Sequence, residues 1–467
     1  MKIAAPSVPF SHFSRIYFIG IGGMVMSGLA ELLQYWGKDV SGSERAANAR
    51  TEYLVRLGIR CSIGETPNGI SPSADCVVVS PRMSAHHPEL VRARMWGLPL
   101  LTPAQLLGVL SRRQATIAVA GCHGKTTVGA YLGSVCERTG LDPSVVLRTP
   151  VEVWGRNVRC GRGDYLIIEA DENEKRFLSL DPRIGVITNI EMDHLDYFGD
   201  LDALVRAYRQ FAQRVCAHGT LIANRDDLLV LRALKGVKGD VIWFGKEEGA
   251  EVRALNARVQ GGKTTFLLHI KRHDEDVAFD LAVPGQHQVM NALAVAAVCH
   301  HLKIPLTLAQ DVFASYHGGE RHVEVMGSVH GVTVIDDAAD HPSEITSILG
   351  AIRGQYPGRA VWCVFQPYLI NRAAYLAKEY AASFTYADRV GILPVVPGIG
   401  EKGEHAAAAS ASLAQLAAQY HTNVSAVSSG DALAQALSDM PHNAILVTLG
   451  ADAVREHAVR FLQQKTA

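Results

Sequence analysis

The stretch Ile117-Ala-Val-Ala-Gly-Cys-His-Gly-Lys-Thr-Thr127 decides how the rest of this 467-residue chain is interpreted. Its apolar, β-branched first half predicts a buried strand, and its second half predicts a phosphate-binding loop that leads into a helix. Glycines let backbone N–H groups approach phosphate oxygens, and the helix N-terminus adds a favourable dipole. A lysine supplies positive charge, and a threonine hydroxyl is a ligand for Mg²⁺. We therefore expect a nucleoside triphosphate to bind here.

The spacing of this loop is shorter than the usual phosphate-loop pattern. Val119 stands where the first glycine is wanted, which leaves the form Gly121-x-x-Gly124-Lys125-Thr126. The alternative is a simple glycine turn between a strand and a helix. Packing alone gives little reason for Lys-Thr directly after the second glycine, so we favour the nucleotide site.

Two later stretches place polar residues directly after a predicted strand. Asp164-Tyr-Leu-Ile-Ile-Glu169 runs into Asp171 and Glu172, and Ile184-Gly-Val-Ile-Thr188 runs into an acidic segment that contains His194. The carboxyl ends of parallel strands share one rim, which here also carries the phosphate loop. Mg²⁺ prefers oxygen ligands, so we expect Thr126 and Glu169 to hold one ion and His194 to help hold a second. For His194, the alternative is a capping or buried, hydrogen-bonded histidine.

Residues 15–21, Arg-Ile-Tyr-Phe-Ile-Gly-Ile, predict another strand, followed by a glycine-rich loop and an amphipathic helix. This is half of a dinucleotide fingerprint, because two glycines allow close diphosphate approach but Val25 replaces the third. Glu44 follows at the distance where such folds place a carboxylate on a sugar or a base. A strand over 76–80 and a helix over 88–96 complete the unit. The alternative is a Rossmann-like unit without a ligand.

The remaining chain predicts hairpins and a further α/β unit. Residues 250–283 alternate as in β-hairpins, with a turn at Gly261-Gly262, and an Ala-rich helix then runs to His301. Strands are predicted over 332–337, 360–365 and 444–449, with a helix starting near 406. At roughly 150 residues per domain the length suggests three domains. We expect an α/β protein with a Rossmann-like domain (1–112), a central P-loop-type ATPase domain (113–325) and a C-terminal Rossmann-like domain (326–467).

Composition excludes several classes of protein. The net charge of −1 gives no basic surplus for nucleic acid or anionic lipid. The eight cysteines are scattered without a C-x-x-C pair, which argues against both a disulfide framework and a zinc site. We find no export signal and no run of apolar residues long enough to span a membrane. We therefore expect a cytoplasmic monomer or homodimer that binds neither nucleic acid nor membrane.

Taken together, these motifs resemble the Mur ligases, and among them the branch that joins L-alanine to UDP-N-acetylmuramate. The resemblance runs from about residue 15 to 452. It rests on Ile19-Gly-Ile-Gly-Gly-x-x-Met26-Ser27-Gly28, Val40-Ser-Gly-Ser43, Ala120-Gly-x-His123-Gly-Lys-Thr-Thr127, Glu169-Ala-Asp-Glu172, Thr188-Asn-Ile-Glu-x-Asp-His-Leu-Asp-Tyr197, Pro284-Gly-x-His287-x-x-x-Asn291-Ala-Leu, Asp336-Asp337-x-x-x-His341-Pro342 and Phe365-Gln-Pro367.

The resemblance implies an ATP-dependent ligase of peptidoglycan precursor synthesis. ATP phosphorylates a carboxylate, and an amine attacks the acyl phosphate and releases phosphate. The residues that the resemblance assigns to the UDP-sugar are Gly20, Gly22, Gly23, Met24, Ser27, Ser43, Glu44 and Ser80. Those assigned to ATP are Gly121, His123, Gly124, Lys125, Thr126, Thr127, Asn291, Arg321 and Asp336. Those assigned to the metal are Thr126, Glu169 and His194, those assigned to catalysis are Lys125, His194 and Glu169, and those assigned to the amino acid are Ala338, Asp340, His341 and Arg372.

The chain departs from the family pattern mainly in its last third. Ala338 and Asp340 replace an aromatic residue and a histidine, and Tyr368-Leu369 replaces His-Arg, whereas Arg372 is retained. In the phosphate loop Cys122 replaces threonine, a change that backbone binding tolerates. The first hypothesis is therefore an alanine-adding ligase, and the second is a Mur-like ligase with another amine or acid. A nucleotide-sugar binder or dinucleotide oxidoreductase is the third, and it leaves Gly124-Lys125-Thr126 unexplained.

Overall fold

The computed structural model describes residues 13–463, except 65–68, 261, 272–275, 317–320, 399–400, 402, 429–432, 434–436 and 438. Within these residues three β-sheets follow one another along the chain and alternate with helices. The predicted α/β class is confirmed, with mostly parallel strands in each sheet. None of the described helices is long and apolar enough to cross a membrane.

The first sheet is wholly parallel, with the strand order β3-β2-β1-β4-β5. Its strands are β1 Arg15–Ile19, β2 Asp39–Glu44, β3 Arg60–Ile63, β4 Cys76–Val79 and β5 Leu100–Leu101. The helices beside it are α1 Met24–Tyr35, α2 Ala49–Arg56, α3 Pro88–Met95 and α4 Pro103–Ser111. The order of strands reverses at β1, so the carboxyl ends of β1 and β4 form the crevice where such sheets bind ligands.

The second sheet has the strand order β15-β14-β13-β12-β11-β10-β6-β9-β7-β8. Its strands are β6 Ala115–Ala120, β7 Ser144–Val151, β8 Arg156–Arg159, β9 Tyr165–Glu169, β10 Ile184–Ile187, β11 Thr220–Asn224, β12 Asp240–Gly245, β13 Val252–Gln260, β14 Lys263–Ile270 and β15 Val277–Leu281. Its helices are α5 Lys125–Arg138, α6 Leu195–Phe198, α7 Leu201–Cys216, α8 Leu228–Leu234, α9 Gln286–His301 and α10 Leu306–Ser315, and a 3₁₀ turn spans Asn173–Ser179.

The position of β6 explains why the predicted rim forms. β6 pairs in parallel with β9 on one side and with β10 on the other. The residues after all three strands therefore meet at one edge of the sheet. The predicted hairpins are confirmed by the antiparallel pairs β13–β14 and β14–β15. Of the predicted turn between β13 and β14, Gly261 lies outside the described residues.

The third sheet has the strand order β16-β17-β21-β18-β19-β20, with only the β16–β17 pair antiparallel. Its strands are β16 Glu324–Val329, β17 Val332–Asp337, β18 Val361–Gln366, β19 Arg389–Ile392, β20 Val424–Ala426 and β21 Ile445–Gly450. The helices described around it are α11 Pro342–Gln355, α12 Ile370–Tyr375, α13 Ala377–Ala382, α14 Ala406–Ala417 and α15 Val454–Gln463, with a 3₁₀ turn at Gly403–His405.

The hydrophobic core is continuous across the first two sheets. One apolar cluster contains Phe18 and Leu29 from the first unit together with Ala118 and Phe211 from the second. The third sheet has apolar clusters of its own, such as the one around Phe365 and Val447. The first two units therefore share one hydrophobic core, and the burial of its apolar surface stabilises their arrangement. The third unit meets the rim of the second sheet through polar side chains, described next.

Candidate active site

Two glycines shape the phosphate loop, residues 121–127. Gly121 and Gly124 have φ angles of 137° and 80°, values that favour glycine. A Cβ on Gly121 would lie 1.9 Å from Thr188 Oγ1, and one on Gly124 would lie 2.2 Å from Asn291 Oδ1. The loop therefore needs glycine for both its conformation and its close packing. The second contact places Asn291, predicted from the sequence, beside the loop.

Lys125 is buried within this loop and points at acceptor oxygens. Its ammonium donates to the Glu172 carboxylate at 3.1 and 3.2 Å, to the carbonyl of Cys122 at 3.1 Å, and to the carbonyl of Gly121. Burial lowers the pKa of Lys125, but the nearby carboxylates of Glu172 and Glu169 raise it above its ordinary value. The lysine is therefore a cation held in place before any nucleotide arrives.

Two groups of metal-type ligands lie beside the lysine. Thr126 Oγ1 donates to Glu169 Oε2 over 2.8 Å, which brings the first predicted pair together. His194 lies in a second group, where its Nε2 is 3.7 Å from Glu172 Oε1 and 3.7 Å from Asp193 Oδ2. One ligand atom each from Asp171, Glu172 and His194 lies within 4.8 Å of the others. Glu172 of the second group also contacts Lys125, so this group lies directly beside the phosphate loop.

The phosphate loop also contacts helix α11 of the third unit. His123 Nδ1 lies 2.7 Å from Glu344 Oε1, and His123 Nε2 lies 3.5 Å from Glu191 Oε2. Burial lowers the pKa of His123, but these two carboxylates raise it to about 10. A second contact joins His287 Nδ1 to Ser347 Oγ at 2.6 Å. Polar contacts thus hold α11 against the rim of the second sheet.

The charged side chains of the predicted amino-acid pocket are paired with one another. Arg372 donates to Asp340 Oδ2 at 2.8 Å and to Asp193 Oδ2 at 3.3 Å. Tyr380 donates its hydroxyl proton to the Asp340 carbonyl at 2.5 Å. Among the described residues, the buried Arg372 Nε has no hydrogen-bond partner. Asp340 and Arg372 therefore form a pair rather than two separate binding groups, while Ala338 is exposed and His341 faces the phosphate loop.

The first loop, residues 20–28, lies at the carboxyl ends of β1 and β4. Gly20 has a φ of 81°, and a Cβ there would lie 2.9 Å from Ser80 Cβ, so these two predicted residues meet. Gly22 N donates to Glu44 Oε2 at 2.8 Å.

The predicted serines of this region make hydrogen bonds within the protein. The Ser43 hydroxyl donates its proton to the buried Glu89, which also accepts from Tyr17 at 2.7 Å. Gly23 precedes α1 as its cap, where Ser27 Oγ donates to the Met24 carbonyl at 3.0 Å.

Arg321 and Asp336, both predicted to contact ATP, bind each other. Arg321 Nε lies 2.7 Å from Asp336 Oδ2, and Asp336 also accepts from Thr448 at 2.6 Å and from Arg455 at 3.0 Å. The pair is buried within the third unit. Thr127, the last residue of the phosphate loop, is likewise buried in the first turn of α5.

Sequence reasoning missed three contributors to the site. Glu344 was not singled out, although it stands three residues after His341 and forms a capping box with it, a pattern visible in the sequence. Glu172 was named only as a strand-end carboxylate, and its pairing with Lys125 has no sequence signal. Glu89 supports Ser43 from 46 residues away in the chain, and it carried no motif.

Comparison with known proteins gives three family matches along the chain. Residues 15–115 match the Mur ligase family catalytic domain, 119–299 match the Mur ligase middle domain, and 322–452 match the Mur ligase glutamate ligase domain. A UDP-N-acetylmuramate--L-alanine ligase from a Sulfurihydrogenibium species is 34% identical, covering 97% of this chain and 98% of that protein.

Two solved structures share the fold. The UDP-N-acetylmuramate-alanine ligase of Thermotoga maritima has a TM-score of 0.77 at 24% identity and covers 96% of this chain and 98% of its own. The UDP-N-acetylmuramate:L-alanyl-gamma-D-glutamyl-meso-diaminopimelate ligase of Neisseria meningitides has a TM-score of 0.59 at 27% identity. It covers 65% of this chain and 98% of its own.

Proposed function

This chain belongs to the Mur ligase family and is an ATP-dependent, ADP-forming ligase, and from that premise we propose that it joins L-alanine to UDP-N-acetylmuramate. The family that the motifs predicted is thereby confirmed. The similarity to an alanine-adding relative along almost the whole chain carries the proposal. The eight cysteines are free thiols, which supports a cytoplasmic location. We place the domain boundaries near residues 112 and 325; β16 lies across the second of these.

In the proposed reaction a carboxylate oxygen of the sugar acid attacks the γ-phosphorus of ATP, and ADP leaves. The amine nitrogen then attacks the carbonyl carbon of the acyl phosphate, phosphate leaves, and the nitrogen loses a proton. Lys125 suits the first step, because its ammonium is buried in the loop that would hold the phosphates, where its positive charge would offset theirs. The loop N–H groups orient those phosphates at the start of α5. Positioning and charge neutralisation account for the catalysis.

The rim also suits Mg²⁺, which would neutralise phosphate charge when bound. The fit rests on the donor set: a hydroxyl and a carboxylate in contact at Thr126 and Glu169, and a neighbouring group of carboxylates with His194. Hard oxygen donors of this kind are those that Mg²⁺ shares with nucleotide phosphates.

Glu169→Ala should remove most activity, and excess Mg²⁺ should restore it only in part, because a carboxylate ligand is lost. An unchanged rate of phosphate release after treatment with EDTA would contradict the metal assignment.

A second candidate is a ligase with a different amine. The pocket favours it, because Ala338 and Asp340 replace the family's aromatic residue and histidine, and the buried Arg372 Nε has no hydrogen-bond partner among the described residues. The Neisseria relative, by its name, acts on a peptide rather than on alanine. One lost contact to a small substrate costs only about 1–3 kcal/mol, so alanine is expected to react in either case.

Phosphate release with ATP, UDP-N-acetylmuramate and a panel of amines separates the two candidates. The panel is alanine, glycine, serine, larger or cationic amino acids and the tripeptide. A preference for alanine of about a hundredfold or more in kcat/KM supports the first candidate, since it corresponds to at least about 2.7 kcal/mol, the upper end of the range for one contact. A higher kcat/KM for a larger amine supports the second. The Ala338→Tyr, Asp340→His double variant should then shift the preference back toward alanine.

A further inference from the structure

A second group of possible metal ligands borders the phosphate loop and shares no residue with the groups proposed for Mg²⁺. It consists of His123 from the phosphate loop, Glu191 from the segment after β10, and His341 at the start of α11. One ligand atom from each lies within 4.8 Å of the others. The ring centroids of His123 and His341 are 4.7 Å apart. The three side chains therefore converge from two units of the protein on one small volume.

We propose that His123, Glu191 and His341 form a binding site for a divalent transition metal such as Zn²⁺. Glu191 Oε2 lies 3.5 Å from His123 Nε2 and 3.3 Å from His341 Nδ1. Bonds of about 2.0–2.2 Å to a tetrahedral ion place neighbouring donor atoms about 3.4 Å apart. The measured separations match that value without movement of the backbone. Two imidazoles with one carboxylate also select such an ion over Mg²⁺, which prefers oxygen.

The outer nitrogens of both histidines are already engaged as they are in metal sites. A histidine that binds metal through one nitrogen usually donates its other N–H to a carboxylate or a backbone carbonyl. His123 Nδ1 lies 2.7 Å from Glu344 Oε1, and His341 Nε2 lies 3.4 Å from the Met192 carbonyl. These contacts leave His123 Nε2 and His341 Nδ1 facing the centre of the cluster.

A serine hydroxyl marks that centre. Ser343 Oγ lies 2.8 Å from His341 Nδ1 and 3.3 Å from His123 Nε2. The backbone N–H of Ser343 also donates to His341 Nδ1 at 3.4 Å, so this nitrogen acts as an acceptor. The two inner nitrogens thus aim at one point, where an ion replaces the hydroxyl as their shared partner after rotation of the serine side chain.

Binding an ion here would tie α11 to the phosphate loop. His123 and Glu191 belong to the second sheet, whereas His341 belongs to the third unit, which has a separate apolar core. An ion bound by all three therefore stabilises the arrangement in which these units are in contact, and Zn²⁺ raises the melting temperature.

Co²⁺ tests the site, because tetrahedral Co²⁺ with nitrogen ligands absorbs visible light strongly and octahedral Co²⁺ does so weakly. The nucleotide-free protein is titrated with Co²⁺ in excess Mg²⁺, which fills the oxygen-rich groups. We expect a tetrahedral spectrum that saturates at one ion per chain and is bleached by Zn²⁺. A wild-type protein without this spectrum contains only a hydrogen-bonded cluster, and the proposal is then wrong.

Matched variants locate the ion. His341→Gln should abolish the tetrahedral spectrum and the Zn²⁺-dependent rise in melting temperature, whereas His194→Gln, in the neighbouring acidic group, should retain both. Glu344→Gln keeps all three ligands and should weaken Co²⁺ binding by about 10–100-fold, the usual effect of losing such an outer partner. The reverse pattern, loss in His194→Gln and retention in His341→Gln, would place the ion elsewhere and overturn the assignment. Circular dichroism shows that each variant is folded.

Discussion

The first loop and the phosphate loop have similar backbones but different partners. Each follows a buried strand, opens with a glycine at positive φ and leads into a helix. In the first loop a carboxylate, Glu44, accepts from the backbone N–H of Gly22. In the phosphate loop a carboxylate, Glu172, accepts from the side chain of Lys125. The glycines create the concave backbone, and the residues beside them decide which ligand it suits.

The two loops also differ in how their charges are buried. The side chains of Lys125 and Glu172 are 9% and 2% exposed, so each buried charge is stabilised by the opposite charge of the other. Glu44 is only half-buried, and residues 20–28 contain no lysine or arginine. We therefore expect substitutions at the phosphate loop to affect both turnover and stability. At the first loop they should affect mainly the binding of the nucleotide sugar.

The largest expected effect comes from Lys125→Ala. The loss of its ammonium should lower kcat by about 10³-fold, since its positive charge would no longer offset the charge of the transferring phosphate. Phosphate release measures the effect, and circular dichroism establishes that the variant folds. A folded variant that retains near wild-type turnover would show that Lys125 and its loop have no part in phosphoryl transfer.

A second difference should appear in stability. Glu172→Gln removes the carboxylate that contacts the buried Lys125 ammonium, so the free energy of unfolding should fall by about 3 kcal/mol. The matched change Glu44→Gln removes a partly exposed charge, and it should cost no more than about 1 kcal/mol. Urea unfolding of the two variants tests this contrast. Equal losses would show that burial does not distinguish the loops.

The surroundings of the phosphate loop should also respond to pH. Burial lowers the pKa of His287, on the helix that carries Asn291, from 6.5 to about 4. The unfolded chain therefore binds this proton before the folded one does. Stability that is present above pH 6.5 should be lost as the pH falls toward 4, by up to about 1.4 kcal/mol per pH unit.

The His287→Gln variant isolates this contribution. Urea unfolding at several values between pH 7 and pH 4.5 should show a shallower fall in the free energy of unfolding for the variant than for the wild type. The variant also loses the contact with Ser347, which lowers its stability equally at every pH. Identical slopes for the two proteins would assign the pH dependence to other groups.

The smallest effect is expected at the first loop. Glu44→Ala removes the acceptor for Gly22 N–H, and it should raise KM for the nucleotide sugar about fivefold, the value of one net hydrogen bond. The KM for ATP should stay unchanged, because Glu44 lies in the first unit. Steady-state kinetics with each substrate varied in turn checks both values. A larger effect on ATP than on the sugar would reverse the roles proposed for the loops.

Much of the fold could be predicted because its signals are local. The predicted strand over 332–337 is observed as β17 with the same bounds, and the strand predicted over 164–169 is observed as β9, Tyr165–Glu169. Apolar runs bounded by glycine, proline or polar residues identify such strands. The rim was also predictable, since parallel strands present their carboxyl ends on one side, which brought Glu169 to Thr126.

The pairing of charges within the site could not be predicted. Arg372 was expected to bind a substrate carboxylate. In the structure it donates hydrogen bonds to Asp340 and to Asp193, which is 179 residues away in the chain. Arg321 and Asp336 were expected at ATP, and they bind each other. Sequence motifs identify the type of residue, but the partner depends on which elements pack together.

The sequence alone determined the family, the three α/β units, the phosphate loop and the carboxylates at its rim. These features follow from residue order and from the geometry of parallel strands. The tertiary structure decided that Lys125 pairs with Glu172, that His123 meets Glu344, and that α11 closes on the rim. Such contacts join residues far apart in the chain. A buried charge needs an opposite charge beside it, and the packing of the elements decides which residue supplies that charge. That choice is a property of the assembled sheets, so no local motif records it.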